Sequence, residues 1–234
     1  MTDFLTIALP KGRLLDQLDS YLRETGIHLS FEDRRLIATD TDAGIRGFLV
    51  KNSDLPTYVH HGIAGLGVCG EDVLYESGYD FVRLLRLPFG RTRMCMATIN
   101  QRAETLLSGR NDLPKSVVEL GIDRLLDSSD GRFSVSTKFV EFTRDYFHRA
   151  GVPVDVIRLN GSVELAPVLG LTPYIVDLVE TGSTLRANKL SVICELKQIE
   201  VSIIANPAYY KLNHARIDRF VSQLSESLKI DSGN

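Results

Sequence analysis

Cysteine is scarce in this chain of 234 residues: Cys69, Cys95 and Cys194 are odd in number, far apart and set among apolar neighbours. That excludes a disulfide-stapled scaffold and reads as reduced core thiols in a reducing compartment. No apolar run approaches the roughly 20 residues that a membrane-spanning helix needs. The opening MTDFLTIALPKGR has neither a basic start nor an h-region long enough for export. A cytoplasmic protein with no membrane association is expected. Positive charge is not in excess either, since 27 Lys and Arg against 30 Asp and Glu give a formal charge of -3. Such a chain offers no global field to hold nucleic acid, so any anionic ligand must be met locally.

Several familiar motifs are also missing. There is no Walker A loop, no G-x-G-x-x-G and no G-x-S-x-G. His28, His60, His61, His148 and His214 show no metal-ligand spacing. A metal, if used, is expected to be Mg²⁺ carried in by phosphates, which asks for only one or two carboxylates and water. No low-complexity tract or internal repeat is visible.

What is present is ordinary globular material, 44% hydrophobic and 24% charged, enough for a sizeable core. The length suits one large α/β domain or two compact halves of about 100 residues. Leu5 to Leu9 is an apolar run that stops at Pro10, and Leu14, Leu18, Tyr21 and Leu22 follow at helical spacing until Gly26. Strands are expected at 36–39, 48–51 and 66–69, with helices from near Pro56 and after Gly70. From 81 to 99 the chain is apolar and β-prone with a break at Pro88-Phe89-Gly90, which suggests a strand pair or a crossing segment. The stretch 100–130 is polar and punctuated.

A second alternation follows: strand 133–135, helix 138–149, strand 154–159, short helix 163–169, strand 174–179, a loop and a helix. Strands at 190–196 and 201–205 and a final helix with Ile217, Phe220, Val221, Leu224 and Leu228 on one face complete the chain. Alternating β and α segments imply an α/β fold with a mostly parallel sheet in each half. Joined by extended segments, the halves would form a two-lobed clamp with its site in the cleft. The expected division is 1–95 plus 197–234 for one lobe and 96–196 for the other.

The most informative stretch is YIVDLVETGSTLRANKL, residues 174–190. An apolar strand ends in Asp177 and Glu180, and Thr181-Gly182-Ser183-Thr184 leads at once into a helix. Gly182 lets the backbone fold so that successive N–H groups point inward, and the hydroxyls add donors, which together make a phosphate cradle. The acids before it suit ribose hydroxyls or a cationic sugar. A capped helix with no ligand is the plainer alternative. Arg83, Arg86, Arg91 and Arg93 lie in a segment without acids; guanidinium forks suit phosphate oxygens, although arginines on a sheet edge also serve solubility. Lys11-Gly12-Arg13 sits at the first strand-to-helix turn, where open α/β sheets bind ligands, and Lys51 adds charge to the same half.

The run NGSVELAPVLGLTPYIVDLVETGSTLRANKL from Asn160, with ALPKGRL, DLPTYVHHGIAGLGVCGEDVLYE and LPFGRTRMCMA, closely resembles the ATP phosphoribosyltransferase family. The likeness spans most of the chain. It implies a two-lobed fold like the type II periplasmic binding proteins. It also implies joining of N1 of ATP to 5-phosphoribosyl 1-pyrophosphate (PRPP) with Mg²⁺ and release of pyrophosphate, the first step of histidine biosynthesis. With no C-terminal regulatory domain after the last helix, the chain resembles the short form. A homodimer core within a hetero-oligomer is then expected, with a regulatory subunit similar to histidyl-tRNA synthetase.

The resemblance assigns Thr181, Gly182, Ser183 and Thr184 to the 5′-phosphate, Asp177 and Glu180 to the ribose, and Lys11, Arg13 and Arg91 to pyrophosphate or ATP phosphates. Gly12, Lys51, Gly70, Asp72, Arg93, Lys138 and Leu185 complete the substrate-binding set. Glu164 is left between a ribose contact, a metal contact through water and a helix cap. The chain departs from the family pattern at Lys51, Glu71, Phe139 to Glu141 and Thr172. A solute-binding module and a type I phosphoribosyltransferase acting on a base remain as rivals.

Overall fold

The computed structural model describes residues 4–32, 34–125 and 133–231. The chain runs β1 (Leu5–Pro10), α1 (Arg13–Glu24), β2 (Ile37–Asp40), β3 (Ile45–Val50), α2 (Leu55–His60), β4 (Leu66–Gly70), α3 (Glu71–Ser77) and β5 (Val82–Arg86). It continues through β6 (Thr92–Ile99), α4 (Asn100–Leu107), α5 (Val117–Leu120), β7 (Ser134–Thr137), α6 (Val140–Arg149), β8 (Asp155–Arg158), α7 (Leu165–Val168), β9 (Tyr174–Val179), α8 (Ser183–Ala187) and β10 (Leu190–Ile199). It closes with β11 (Val201–Ala205) and α9 (Pro207–Asp231). Two units result, Met1–Gly90 with Glu200–Asn234, and Arg91–Ile199.

The first unit is built on a sheet ordered β2-β3-β1-β4-β11-β5. Its central strands are buried on both faces, and β1 shows why its apolar run does not alternate with polar residues. Leu5, Ile7 and Leu9 pack with Leu18, Tyr21 and Leu22 of α1 and Ile217, Phe220 and Leu224 of α9. Ala8, on the opposite face, joins Leu55 and Val59 of α2 and Leu74 of α3. The Tyr21 hydroxyl donates to the Leu224 carbonyl, fastening α1 to α9. Val221 is partly buried on the same side, while the Leu228 side chain lies outside the described residues.

The second unit holds a sheet ordered β10-β6-β9-β7-β8. Cys95, Ala97, Ile175, Val179 and Leu190 pack against Val163, Ala166 and Leu185 around α7 and α8. Phe133, Phe147 and Tyr174 form a separate aromatic group. All three cysteines are free and buried.

The sheets are mixed where alternation suggested mostly parallel ones. β3-β1-β4 and β8-β7-β9 are parallel trios. β2, β5, β6, β10 and β11 enter antiparallel pairings. Strands linked through helices come out parallel, whereas β2 and β3 are joined by a tight turn and so run antiparallel. β5 and β6 belong to different sheets, so 81–99 is a crossing segment rather than a strand pair. The polar stretch 100–130 contains α4 and α5, and its residues 126–130 lie outside the described ones.

Candidate active site

The C-terminal ends of the parallel trio β8-β7-β9 gather most of the second unit's expected residues. β9 delivers Asp177 and then Glu180, and the chain turns at Gly182, whose φ of 70° and ψ of 12° place it in the left-handed region that favours glycine. α8 begins at Ser183, so the opening N–H groups of its first turn have no intrahelical acceptor. Glu164, Asp177 to Leu185 and their backbone line a cavity of about 230 Å³. Thr181, Ser183 and Thr184 are exposed there, and Leu185 is the buried anchor that ties the loop to the core.

Hydrogen bonds hold this turn open. The Thr181 hydroxyl lies 3.1 Å from Ser183 Oγ and accepts from the Ser183 N–H at 3.4 Å. Arg186 Nη1 donates to the Thr181 carbonyl at 2.9 Å, and Asn188 Nδ2 to the Thr184 carbonyl at 3.0 Å. Arg186 was not among the residues expected from the sequence.

Asp177 is half-buried where Glu180 is exposed. Burial pushes its pKa up; the Leu178 N–H, donating to Oδ1 at 2.8 Å, and the nearby Lys138 charge oppose this, while Glu164 adds to it. Lys138 reaches that neighbourhood because the Thr137 hydroxyl donates to the Val176 carbonyl at 2.6 Å and accepts the Phe139 N–H at 2.9 Å, turning the chain sharply at the end of β7. Glu164 precedes α7 without a side-chain capping bond, so the capping role is set aside, and it lines the cavity instead. Thr172, one of the departures from the family pattern, is buried with its hydroxyl 2.8 Å from both the Tyr174 carbonyl and Ser136 Oγ. Its proton goes to the carbonyl and Ser136 donates in return, so the buried hydroxyl is satisfied.

The first unit repeats the plan. Lys11, Gly12 and Arg13 follow β1, Lys51 follows β3, Gly70 ends β4 and Asp72 comes just after it, so the carboxyl ends of three adjacent parallel strands carry them all. Gly12 has a φ of 80° and opens α1 without a side-chain cap. Lys11, Arg13 and Lys51 are exposed; Gly70 and Asp72 are buried. Of the arginine-rich segment, Arg86 is committed to Glu200 at 2.8 Å and Arg93 to Glu195 at 3.2 Å, while Arg91 stands exposed before β6.

Comparison with known proteins gives this arrangement a context. The family model described as ATP phosphoribosyltransferase matches residues 51–226. An ATP phosphoribosyltransferase of Brachyspira hyodysenteriae is 36% identical over 228 residues, covering 96% of this chain and 100% of the relative. Among solved structures, the ATP phosphoribosyl transferase (HisG:HisZ) complex from Thermotoga maritima matches with a TM-score of 0.73 and 31% identity, over 97% of this chain and 99% of the other. The periplasmic aliphatic sulphonate binding protein SsuA from Escherichia coli matches with a TM-score of 0.56 and 14% identity, over 96% of this chain and 72% of the other, a likeness of fold alone.

Proposed function

The chain belongs to the ATP phosphoribosyltransferase family, and we propose that the loop after β9 is where it holds PRPP while N1 of ATP displaces pyrophosphate. That reaction is its activity, the first step of histidine biosynthesis. The observation supporting the placement is one cavity lined by a positive-φ glycine turn, three hydroxyl residues and the acids Asp177 and Glu164.

Displacement at the anomeric carbon develops positive charge on the ribose and negative charge on the leaving group, so the protein must hold both ends and aim the base. The N–H groups and hydroxyls of Thr181 to Thr184 take the 5′-phosphate. Asp177 and Glu180 face the sugar, and the ionised Asp177, disfavoured by burial, is favoured once a cationic sugar forms beside it. Lys138, Arg91 and Arg93 are assigned to pyrophosphate. Lys11, Gly12, Arg13, Lys51, Gly70 and Asp72 are assigned to ATP and its phosphates. No covalent nucleophile is needed.

Among the described residues no three His, Cys, Asp or Glu side chains converge on a metal position. Asp177 and Glu164 instead suit an ion that arrives on pyrophosphate oxygens and keeps water as its other ligands, and Mg²⁺ is the ion proposed. Bound there it would neutralise charge on the leaving group. No described helix is long and apolar enough to cross a membrane, and a cytoplasmic location is proposed.

Pyrophosphate release is expected only when ATP, PRPP and Mg²⁺ are supplied together. Equal release with orotate or hypoxanthine in place of ATP would transfer the assignment to the base-using rival, and sugar or amino-acid binding without turnover to the solute-binding one. The Thermotoga maritima neighbour was solved as a HisG:HisZ complex. For this chain the same assembly is proposed, a homodimer core with a regulatory subunit similar to histidyl-tRNA synthetase. Adding such a subunit is expected to raise the mass measured in solution and to change the rate; an unaltered mass and rate would count against it.

A further inference from the structure

Glu195 is one of the few charged side chains this fold buries, at 7% exposure. Simple alternation along β10 would not put it where it is. Val192 lies opposite Ala97 of β6, and three steps later an unbroken strand would turn position 195 to the other face of the sheet. The register shifts between Val192 and Cys194, and again between Glu195 and Lys197, so Ile193 and Leu196 have no partner. The first irregularity brings Glu195 opposite Cys95, and Cys95 lies opposite Asp177 of β9. Directly opposed residues share a face. Asp177, Cys95 and Glu195 therefore form one row across three strands, on the side that carries the phosphate loop. Bulges re-aim side chains in this way and are common beside active sites.

Glu195 Oε2 accepts from Arg93 Nη1 at 3.2 Å and from Lys115 Nζ at 3.3 Å. Arg93 lies opposite Val179, the residue before Glu180 and the loop. We propose that Glu195 is a positioning residue, which holds the Arg93 guanidinium at the PRPP site with its charge incompletely neutralised. Two cations share the Glu195 carboxylate, so it neutralises Arg93 only in part, and Glu119, whose Oε2 accepts the Lys115 N–H at 2.9 Å, stands on the Lys115 side. Burial opposes ionisation of Glu195, but the bonds from Arg93 and Lys115 outweigh it and hold its pKa below the ordinary value. The carboxylate thus stays charged at neutral pH. An apolar residue would fill the place equally well for packing, whereas a fixed guanidinium fork needs an acceptor.

The inference rests on the proposed PRPP loop and is tested by a double-mutant cycle in steady-state kinetics. Glu195→Gln is expected to raise KM for PRPP about five- to tenfold, with KM for ATP and kcat within about twofold of the parent. Arg93→Ala should raise it at least as much, and adding Glu195→Gln to Arg93→Ala should change nothing further, because one residue acts through the other. Additive effects, or a lowered melting temperature with KM for PRPP unchanged, would overturn the proposal. Should Glu195→Gln fail to fold, Arg93→Ala at its half-exposed position still decides, since an unchanged KM there also overturns it. A parent protein that releases no pyrophosphate with both substrates would instead reject the underlying activity.

Discussion

Replacing Asp177 by Asn is expected to lower kcat/KM by about 10² or more while raising the melting temperature at pH 7, two opposite effects from one carboxylate. The loss follows from removing the negative charge placed where the ribose becomes cationic, an electrostatic contribution of the size seen when a single preorganised group is deleted, about 10²- to 10³-fold. The gain follows from burial. The folded-state pKa of Asp177 is raised, by desolvation first and the Glu164 charge in addition, with the Leu178 N–H and Lys138 offsetting part of it. A carboxyl whose folded pKa lies above its unfolded value stabilises fully only below the unfolded value, and that stability is lost as pH rises through the folded pKa. At neutral pH the parent therefore carries a penalty that Asn does not, while Asn can still accept the Leu178 N–H.

The difference in melting temperature should be clearest near pH 7 and close as pH falls toward the ordinary aspartate range, about 4. For a chain of this length each kcal/mol corresponds to roughly 2–4 °C. Thermal scans of both proteins from pH 7 to pH 4, alongside pyrophosphate assays, measure the two arms. A variant that is less stable at pH 7, or as active as the parent, would remove Asp177 from the role given to it.

Asp177 was legible in the sequence because β9 is an apolar run fenced by Pro173 and Glu180, and the expected and observed limits, 174–179, coincide. β11 is fenced by Glu200 and Asn206 in the same way, and its limits also coincide. Which strands pair was not legible, since apolarity records burial and not direction; β6 and β10, antiparallel in the second sheet, made it mixed. The irregularities at Ile193 and Leu196 were hidden for a related reason. A strand with apolar residues on both faces reads alike with or without an extra residue, so the turning of Glu195 toward Arg93 left no trace in the pattern. α4 and α5 were missed because they bury only Ala103 and Leu106, and Val117 and Leu120, too few positions to establish a helical period. Arg186 escaped because its partner is a backbone carbonyl, which no side-chain motif encodes.

The phosphate loop should be most sensitive at its glycine. Gly182→Val is expected to weaken PRPP binding by tenfold or more, roughly the loss of one hydrogen bond to a charged group, in a protein that still folds. Val at a φ of 70° is strained, by about 1–3 kcal/mol, and the added Cβ would stand 3.2 Å from Arg186 Nη1 and 3.7 Å from Val179 Cγ1. The first contact matters more, because that nitrogen holds the Thr181 carbonyl. Pushing it away releases the turn that aims the loop's N–H groups, so strain and lost preorganisation act in the same direction. Gly182→Ala, which lacks the branch, should fall between the two proteins. Titration calorimetry with PRPP, beside circular dichroism to establish the fold, separates binding from stability. A folded Gly182→Val protein with parental affinity would place the 5′-phosphate somewhere other than this turn.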